Sequence, residues 1–139
     1  MKKVYTLLRY TKKEMNVAKE LNLVNGCGGD GSAFDFDVIL EDLEKCKNYK
    51  VAFLGTLKKD VQKLCNEHDL DYFLQIGFIK SNFIFCKNIY KLVKSWTKFR
   101  ERFYIAFILF LLLNIFGKEY YKKAKIKNKE LLQQFKNLI

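Results

Sequence analysis

The stretch "CNEHDLDY", residues 65–72, holds the one histidine of the chain, an acid directly after it and a tyrosine four positions on. Positions four apart share a helical face, so on a helix His68 and Tyr72 point the same way, and Asp69 is turned about 100° from His68. Val61, Leu64, Cys65, His68 and Tyr72 together make one stripe, which predicts a helix over about 60–76 with Gly77 as its stop. A neutral imidazole can take a proton from water, and a carboxylate beside it can hold a hard cation that polarises an ester carbonyl. The plainer alternative is a helix histidine satisfied by a neighbour.

A second helix is expected near Ser81, capped by its hydroxyl, through Phe85, Cys86, Ile89, Leu92, Val93 and Trp96. A connection of only a few residues makes the two helices antiparallel neighbours. Upstream, "KKEMNVAKELNL" (12–23) reads as a short, weakly amphipathic helix, and "VNGCGGDGS" (24–32) as a loop, with four glycines in six positions. Asp37 can cap a further helix through Val38, Ile39, Leu43 and Cys46, and "YKVAFLG" (49–55) has the look of a short strand or buried turn.

The glycine stretch lacks the spacing of a dinucleotide loop and the Lys-Ser or Lys-Thr of a triphosphate loop. Calcium binding or a simple structural turn remains. Calcium takes six to eight oxygens, many of them backbone carbonyls, and residues without a Cβ let such carbonyls converge. Zinc is a rival at Cys65 and His68, but Cys27, Cys46 and Cys86 offer no close pair.

Half of the 139 residues are apolar, proline is absent and lysine is abundant, a composition that suits one compact, mainly α domain. The formal charge is +11, and residues 98–139 carry ten Lys or Arg against three Glu. Such a basic end implies an anionic partner, nucleic acid or anionic lipid. The run "FYIAFILFLLLNIF" (103–116) is short for a spanning helix, which needs about 20 residues. It reads as a buried core helix or an interfacial one, with Arg100, Arg102 and Lys118 suited to headgroups. After a lysine-rich stretch at 122–129, Leu131, Leu132, Phe135 and Leu138 predict a solvated amphipathic helix able to lie on an anionic surface. Tyr90, Trp96, Phe99 and Phe103 read as core rather than a stacking platform for nucleic acid. The start of the chain is too soon interrupted by Arg9, Lys12 and Lys13 for a signal peptide, which leads to the expectation of a cytoplasmic or peripherally membrane-associated protein.

His-Asp-x-x-Tyr on a helix, preceded by a glycine loop of the x-x-Gly-x-Gly type, resembles the phospholipase A2-like superfamily, secretory, viral and phage-encoded members included. The resemblance covers about residues 25–90. It implies a mainly α, phospholipase A2-like core of two antiparallel helices with a glycine-rich calcium loop, joined to a C-terminal apolar and basic helix. The corresponding division is 1–97, with an insertion near 36–60, and 98–139. By that likeness His68 is the general base, Asp69 and the carbonyls of Cys27, Gly29 and Gly31 bind calcium, and Tyr72 is a supporting hydrogen-bond partner. A disulfide between Cys27 and Cys65 is likewise implied. "SNFIF" (81–85) stands where relatives open their second helix, with Asn82 in place of the aspartate that orients the histidine. Cys27 stands where tyrosine is common. The implied function is calcium-dependent hydrolysis of an sn-2 acyl ester at an anionic phospholipid membrane surface, with no nucleic-acid partner. The alternative is a catalytically weak phage or mobile-element relative that binds membrane or partner through its C-terminal third. A membrane-anchored chain whose histidine does nothing is a third possibility, resting on 103–116.

Overall fold

The structure is a computed structural model that describes residues 2–25, 51–94 and 99–139. Its elements in chain order are α1 (Lys2–Leu7), α2 (Lys12–Glu20), α3 (Val51–Phe73), α4 (Phe78–Val93), α5 (Phe99–Phe116) and α6 (Lys118–Leu138). Every regular element among the described residues is a helix, as the proline-free, lysine-rich composition predicts.

Local start and stop signals explain several of the boundaries. Thr11 caps α2 with a reciprocal box: the Glu14 N–H donates to the Thr11 hydroxyl at 3.1 Å, and the Glu14 carboxylate accepts from the Thr11 N–H at 3.0 Å. A cap of this kind stabilises a short helix by about 1 kcal/mol. The α2 helix ends at Glu20, short of the predicted 23, because Asn22 takes a left-handed conformation (φ 56°). The six-residue α1 has no counterpart in the sequence reading.

The histidine-bearing helix is longer than its predicted 60–76 at one end and shorter at the other. Residues 51–55 form its start, so "VAFLG" is neither strand nor turn. A short apolar run looks alike in either structure, and here it simply continues a 23-residue helix in which each added residue gains a hydrogen bond. Phe73 closes α3, and the chain reverses through Gln75, which is left-handed at φ 57°. Gly77 is therefore not the stop of α3 but the residue before α4. Its φ of 128° is open only to glycine, and its N–H donates to the Tyr121 hydroxyl at 3.1 Å. Ser81, expected as a cap, lies within α4 instead and its hydroxyl donates back to the Gly77 carbonyl at 2.6 Å.

α3 and α4 run antiparallel, as the short connection requires: Tyr72 meets Phe78 next to the turn, and His68 meets Phe85 one to two turns further on. Two apolar clusters hold the helices. In one, Val61 and Leu64 of α3 pack with Phe85 and Ile89 of α4 and Ile105 and Leu109 of α5. In the other, Leu70 and Phe73 at the end of α3 pack with Val17, Ala18, Leu23 and Phe135. Phe135 is only 2% exposed and meets the Phe73 ring edge-on at 5.7 Å. Burying such a ring contributes about 1.5–3 kcal/mol, and the edge contact about 1 more. The C-terminal helix is solvated along most of its length, as its lysines predict, but Phe135, Leu131 and Leu132 dock on the cluster at the end of α3.

α5 corrects the buried-core reading of 103–116 as well. Ile105 and Leu109 face the core, while Phe103, Phe107, Leu111 and Ile115 stand exposed on one stripe, Ile115 at 66%. Phe103, read as core, stacks outside it on Phe107 at 6.1 Å. Trp96 and the helix proposed after Asp37 lie outside the described residues. Among the described residues no single helix is long and apolar enough to cross a membrane, and α5 and α6 meet at a 62° bend. The corner is Gly117, where an added Cβ would run into the Leu113 carbonyl and come within 2.7 Å of the Tyr72 hydroxyl oxygen.

Candidate functional site

The helical spacing read from "HDLDY" puts His68 and Tyr72 on the side of α3 that faces α4, and there both meet Asn82. The Asn82 Oδ1 lies 2.9 Å from His68 Nε2 and accepts from the Tyr72 hydroxyl at 2.6 Å. Its Nδ2 donates to Asn114 Oδ1 on α5 at 2.7 Å. One wholly buried amide therefore ties three helices together, its oxygen meeting His68 and Tyr72 and its nitrogen donating to Asn114. The His68 ring is held between Tyr72, at 4.3 Å between centroids, and Phe85, at 4.8 Å.

Burial of this ring lowers the His68 pKa from 6.5 to about 4, against a smaller upward effect of the Asn82 bond. The imidazole is neutral at pH 7 and can accept a proton. Burial also raises the Tyr72 phenol above its ordinary range, the Asn82 bond opposing, so its hydroxyl keeps the hydrogen that it donates to Asn82. His68, Tyr72 and Asn82 are thus brought together in space, as the sequence reading requires.

Asp69 leaves this network by the turn of the helix and reaches the residue that leads into the glycine stretch. Its Oδ2 accepts from the Asn25 N–H at 3.1 Å. Burial raises its pKa to about 7, against the lowering effects of the Asn25 bond and of the Lys127 charge. Lys127 reaches over from α6 and donates to the Asn22 carbonyl at 3.1 Å. A hard carboxylate oxygen whose charged form is disfavoured by burial suits a divalent cation, whose charge would compensate it. Among the described residues no group of three or more acid, histidine or cysteine side chains converges, so most of calcium's oxygens have to come from elsewhere. Cys27, Gly29 and Gly31, the expected carbonyl ligands, lie outside the described residues, as does the expected Cys27 partner of Cys65. Cys65 itself is disulfide-bonded, while Cys86 is a free, buried thiol that burial pushes up to about 12.

A second polar cluster, on the neighbouring side of α3, was not anticipated. Glu67 and Asp71, both buried and one turn apart, receive Arg9 and Tyr10 from the segment between α1 and α2. Glu67 Oε2 accepts the Arg9 N–H at 2.7 Å and the Tyr10 N–H at 3.1 Å. Asp71 accepts from both the Arg9 guanidinium and the Tyr10 hydroxyl. Glu67 Oε1 has no hydrogen bond among the described residues and faces Arg9 Nε at 3.6 Å. Burial raises the Glu67 pKa although two backbone N–H groups and Arg9 lower it. Next to this cluster is a cavity of about 450 Å³, lined by Leu8, Tyr10, Met15, Lys19, Asn66 and Glu67 among others. The spacing of Glu67 and Asp71 on one face is a readable signal, but their partners some sixty positions away are not. Asn114 was missed because a single asparagine in an apolar helix gives no hint of which buried amide it meets.

No protein-family model, curated protein or solved structure matches the chain.

Proposed function

We propose that the protein hydrolyses the sn-2 acyl ester of phospholipids at an anionic membrane surface in the calcium-dependent manner of phospholipase A2, with His68 as the base. The observation that carries this reading is the single Asn82 oxygen that takes both His68 and Tyr72 across two antiparallel helices, with Asp69 turned aside toward Asn25. That arrangement supports reading His68 as the base, Tyr72 as the supporting phenol and Asp69 as the cation-binding acid.

Calcium would be held by Asp69 together with the carbonyls of Cys27, Gly29 and Gly31, and the chemistry it supplies when bound is polarisation of the ester carbonyl and stabilisation of the developing oxyanion. His68 takes a proton from a water molecule as the water oxygen bonds to the carbonyl carbon. The ester C–O bond then breaks, and the same proton passes from the imidazolium to the departing glycerol oxygen, releasing a free fatty acid and a lysophospholipid. Asn82 and Tyr72 keep the ring in place throughout. The exposed stripe of Phe103, Phe107, Leu111 and Ile115, flanked by Arg100 and Lys118, supplies apolar area and positive charge for a peripheral contact with anionic lipid.

A second reading keeps the architecture and the membrane contact but little of the turnover. It is favoured by one observation: the group that orients His68 is an amide, without the charge that would stabilise an imidazolium. The two readings divide in an assay of fatty-acid release from phosphatidylglycerol vesicles, with calcium or with chelator. Under the first, release requires calcium and drops by at least about 10²-fold in both His68→Ala and Asp69→Ala. Vesicle binding without release by the wild-type chain would discard the first reading in favour of the second.

A further inference from the structure

The cavity of about 450 Å³ lies between one face of α2 and one face of α3. Lys12, Met15 and Lys19 fall at helical spacing on the first, Lys63 and Glu67 on the second. Its volume is within the range of about 300–1,000 Å³ that small-molecule sites have. The wall combines three chemistries. Leu8 and Met15 are apolar. Lys12 and Lys19 are exposed, and Lys63 adds a third ammonium, which also meets Asp60 at 3.8 Å. Glu67 is the third part: the residue is 2% exposed, and its Oε1 has no hydrogen bond among the described residues. Arg9 Nε, at 3.6 Å, is beyond hydrogen-bond reach of that oxygen, and a buried acceptor in this state is costly until a donor arrives.

These walls exclude most classes of ligand. Three ammonium groups repel a cation, the unsatisfied carboxylate oxygen repels a bare anion, and a wholly apolar molecule would leave that oxygen as it is. An anion joined by a short carbon spacer to a hydroxyl answers all three: the anion meets the lysines, the spacer lies on Leu8 and Met15, and the hydroxyl donates to Glu67. Three cations favour the charge of a phosphate over that of a carboxylate. Lys63 and Glu67 are one turn apart, a rise of about 6 Å, which a glycerol unit bridges. We propose that this cavity is a binding site for a polyol phosphate, with Lys12, Lys19 and Lys63 holding the phosphate and Glu67 Oε1 accepting from a hydroxyl. A free glycerol phosphate and the headgroup of phosphatidylglycerol share this chemistry. The site uses neither His68 nor Asp69, so it stands apart from the hydrolytic reading.

Met15 is one of two methionines, so the full chain labelled with 13C-methyl methionine gives two methyl resonances, and Met15→Leu shows which one reports on the cavity. Titrations are run at pH 8 with chelator present, so calcium and turnover stay out of the readout. With glycerol 3-phosphate the Met15 methyl is expected to shift along a saturating curve, half-saturated on the order of 1 mM, and inorganic phosphate or glycerol alone binds at least about tenfold more weakly. Glu67→Gln retains an oxygen for the Arg9 and Tyr10 N–H groups but puts an NH2 where Oε1 stands, and it weakens binding at least about tenfold. The double variant Lys12→Gln, Lys19→Gln, at exposed positions, has an effect of the same size. Dihexanoyl phosphatidylglycerol, kept below its micelle concentration, separates the two sources: binding as tight as glycerol 3-phosphate or tighter identifies a lipid headgroup, and weaker binding a free polyol phosphate. No saturable shift with either compound overturns the proposal, as do fragments that bind as well as the whole or an unchanged affinity in either variant. Should Glu67→Gln fail to fold, the lysine variant and the fragments decide.

Discussion

Arg9→Ala is expected to lower the free energy of unfolding by about 2–3 kcal/mol. Glu67 and Asp71 lie one turn apart in α3, both buried, and the Arg9 guanidinium faces the two of them. Breaking a wholly buried ion pair costs about 3–5 kcal/mol, because the remaining charge is left without compensation. The figure is smaller here because the Arg9 side chain keeps 36% exposure and part of its attraction is screened. Against a total stability of about 5–15 kcal/mol the loss is large. Its pH dependence has a definite sign. Glu67 is already pushed upward by burial, and without Arg9 it rises further, so the folded variant gains stability on taking up a proton. The deficit should therefore be greatest near pH 8 and shrink as pH falls through the carboxylate range. Urea unfolding at pH 8 and pH 5 checks this, with Arg9→Lys between wild type and alanine, since an ammonium keeps the charge but cannot fork across two acids. An equal deficit at both pH values would show that Arg9 acts by packing alone.

Asn82→Asp should raise the rate of fatty-acid release by on the order of 10²–10⁴-fold at neutral pH, since exchanging an orienting carboxylate for its amide elsewhere costs about 10⁴ in turnover. The new carboxylate accepts from both His68 and Tyr72 as the amide does, and the Asn114 amide turns to donate to it. What it adds is charge. A carboxylate at hydrogen-bond distance raises an imidazole pKa by roughly 1–3 units, which makes His68 a stronger base and stabilises the imidazolium formed on proton transfer. The pH profile separates this from a change in packing. The wild-type imidazole, with its pKa lowered to about 4 by burial, contributes no fall in rate above about pH 5, whereas the variant should lose activity as pH drops through a higher midpoint. Stability moves in the opposite direction. The wild-type ring titrates lower folded than unfolded, so the unfolded chain takes the proton first and stability is lost as pH falls from 6.5 toward 4. That particular loss shrinks in Asn82→Asp. A variant no faster than wild type, with an unchanged profile, would mean that the amide already does all that this position requires.

What could be read from the sequence follows the distance over which residues act. The pairing of His68 with Tyr72 was legible because it depends only on the period of one helix, and the short turn made α3 and α4 neighbours; that Asn82 is the residue they meet was implied only by the resemblance. The capping box of Thr11 and Glu14 was legible in the same way, though it was not read. Boundaries were less legible: Gly77 carries the same turn signal whether it ends one helix or precedes the next, and "VAFLG" carries no period long enough to tell helix from strand. The tertiary partners were least legible of all. Nothing near Glu67 names Arg9, nothing near Asn82 names Asn114, and the lysines of α6 hid the fact that Phe135 is buried against Phe73. In each case an ordinary polar or amphipathic pattern acquires its role from a residue far along the chain.

The joint between the glycine stretch and α3 carries the whole functional account: one cation held both by Asp69 and by the backbone that follows Asn25. The most direct measurement is a calcium titration followed by NMR at pH 8, where Asp69, with a pKa near 7, is mostly ionised. The account predicts that the Asp69 carboxylate carbon and the backbone signals of residues 27–31 shift together along one single-site curve, and that Asp69→Asn abolishes both responses. Shifts at only one of these two places, or a response at 27–31 that survives Asp69→Asn, would contradict it.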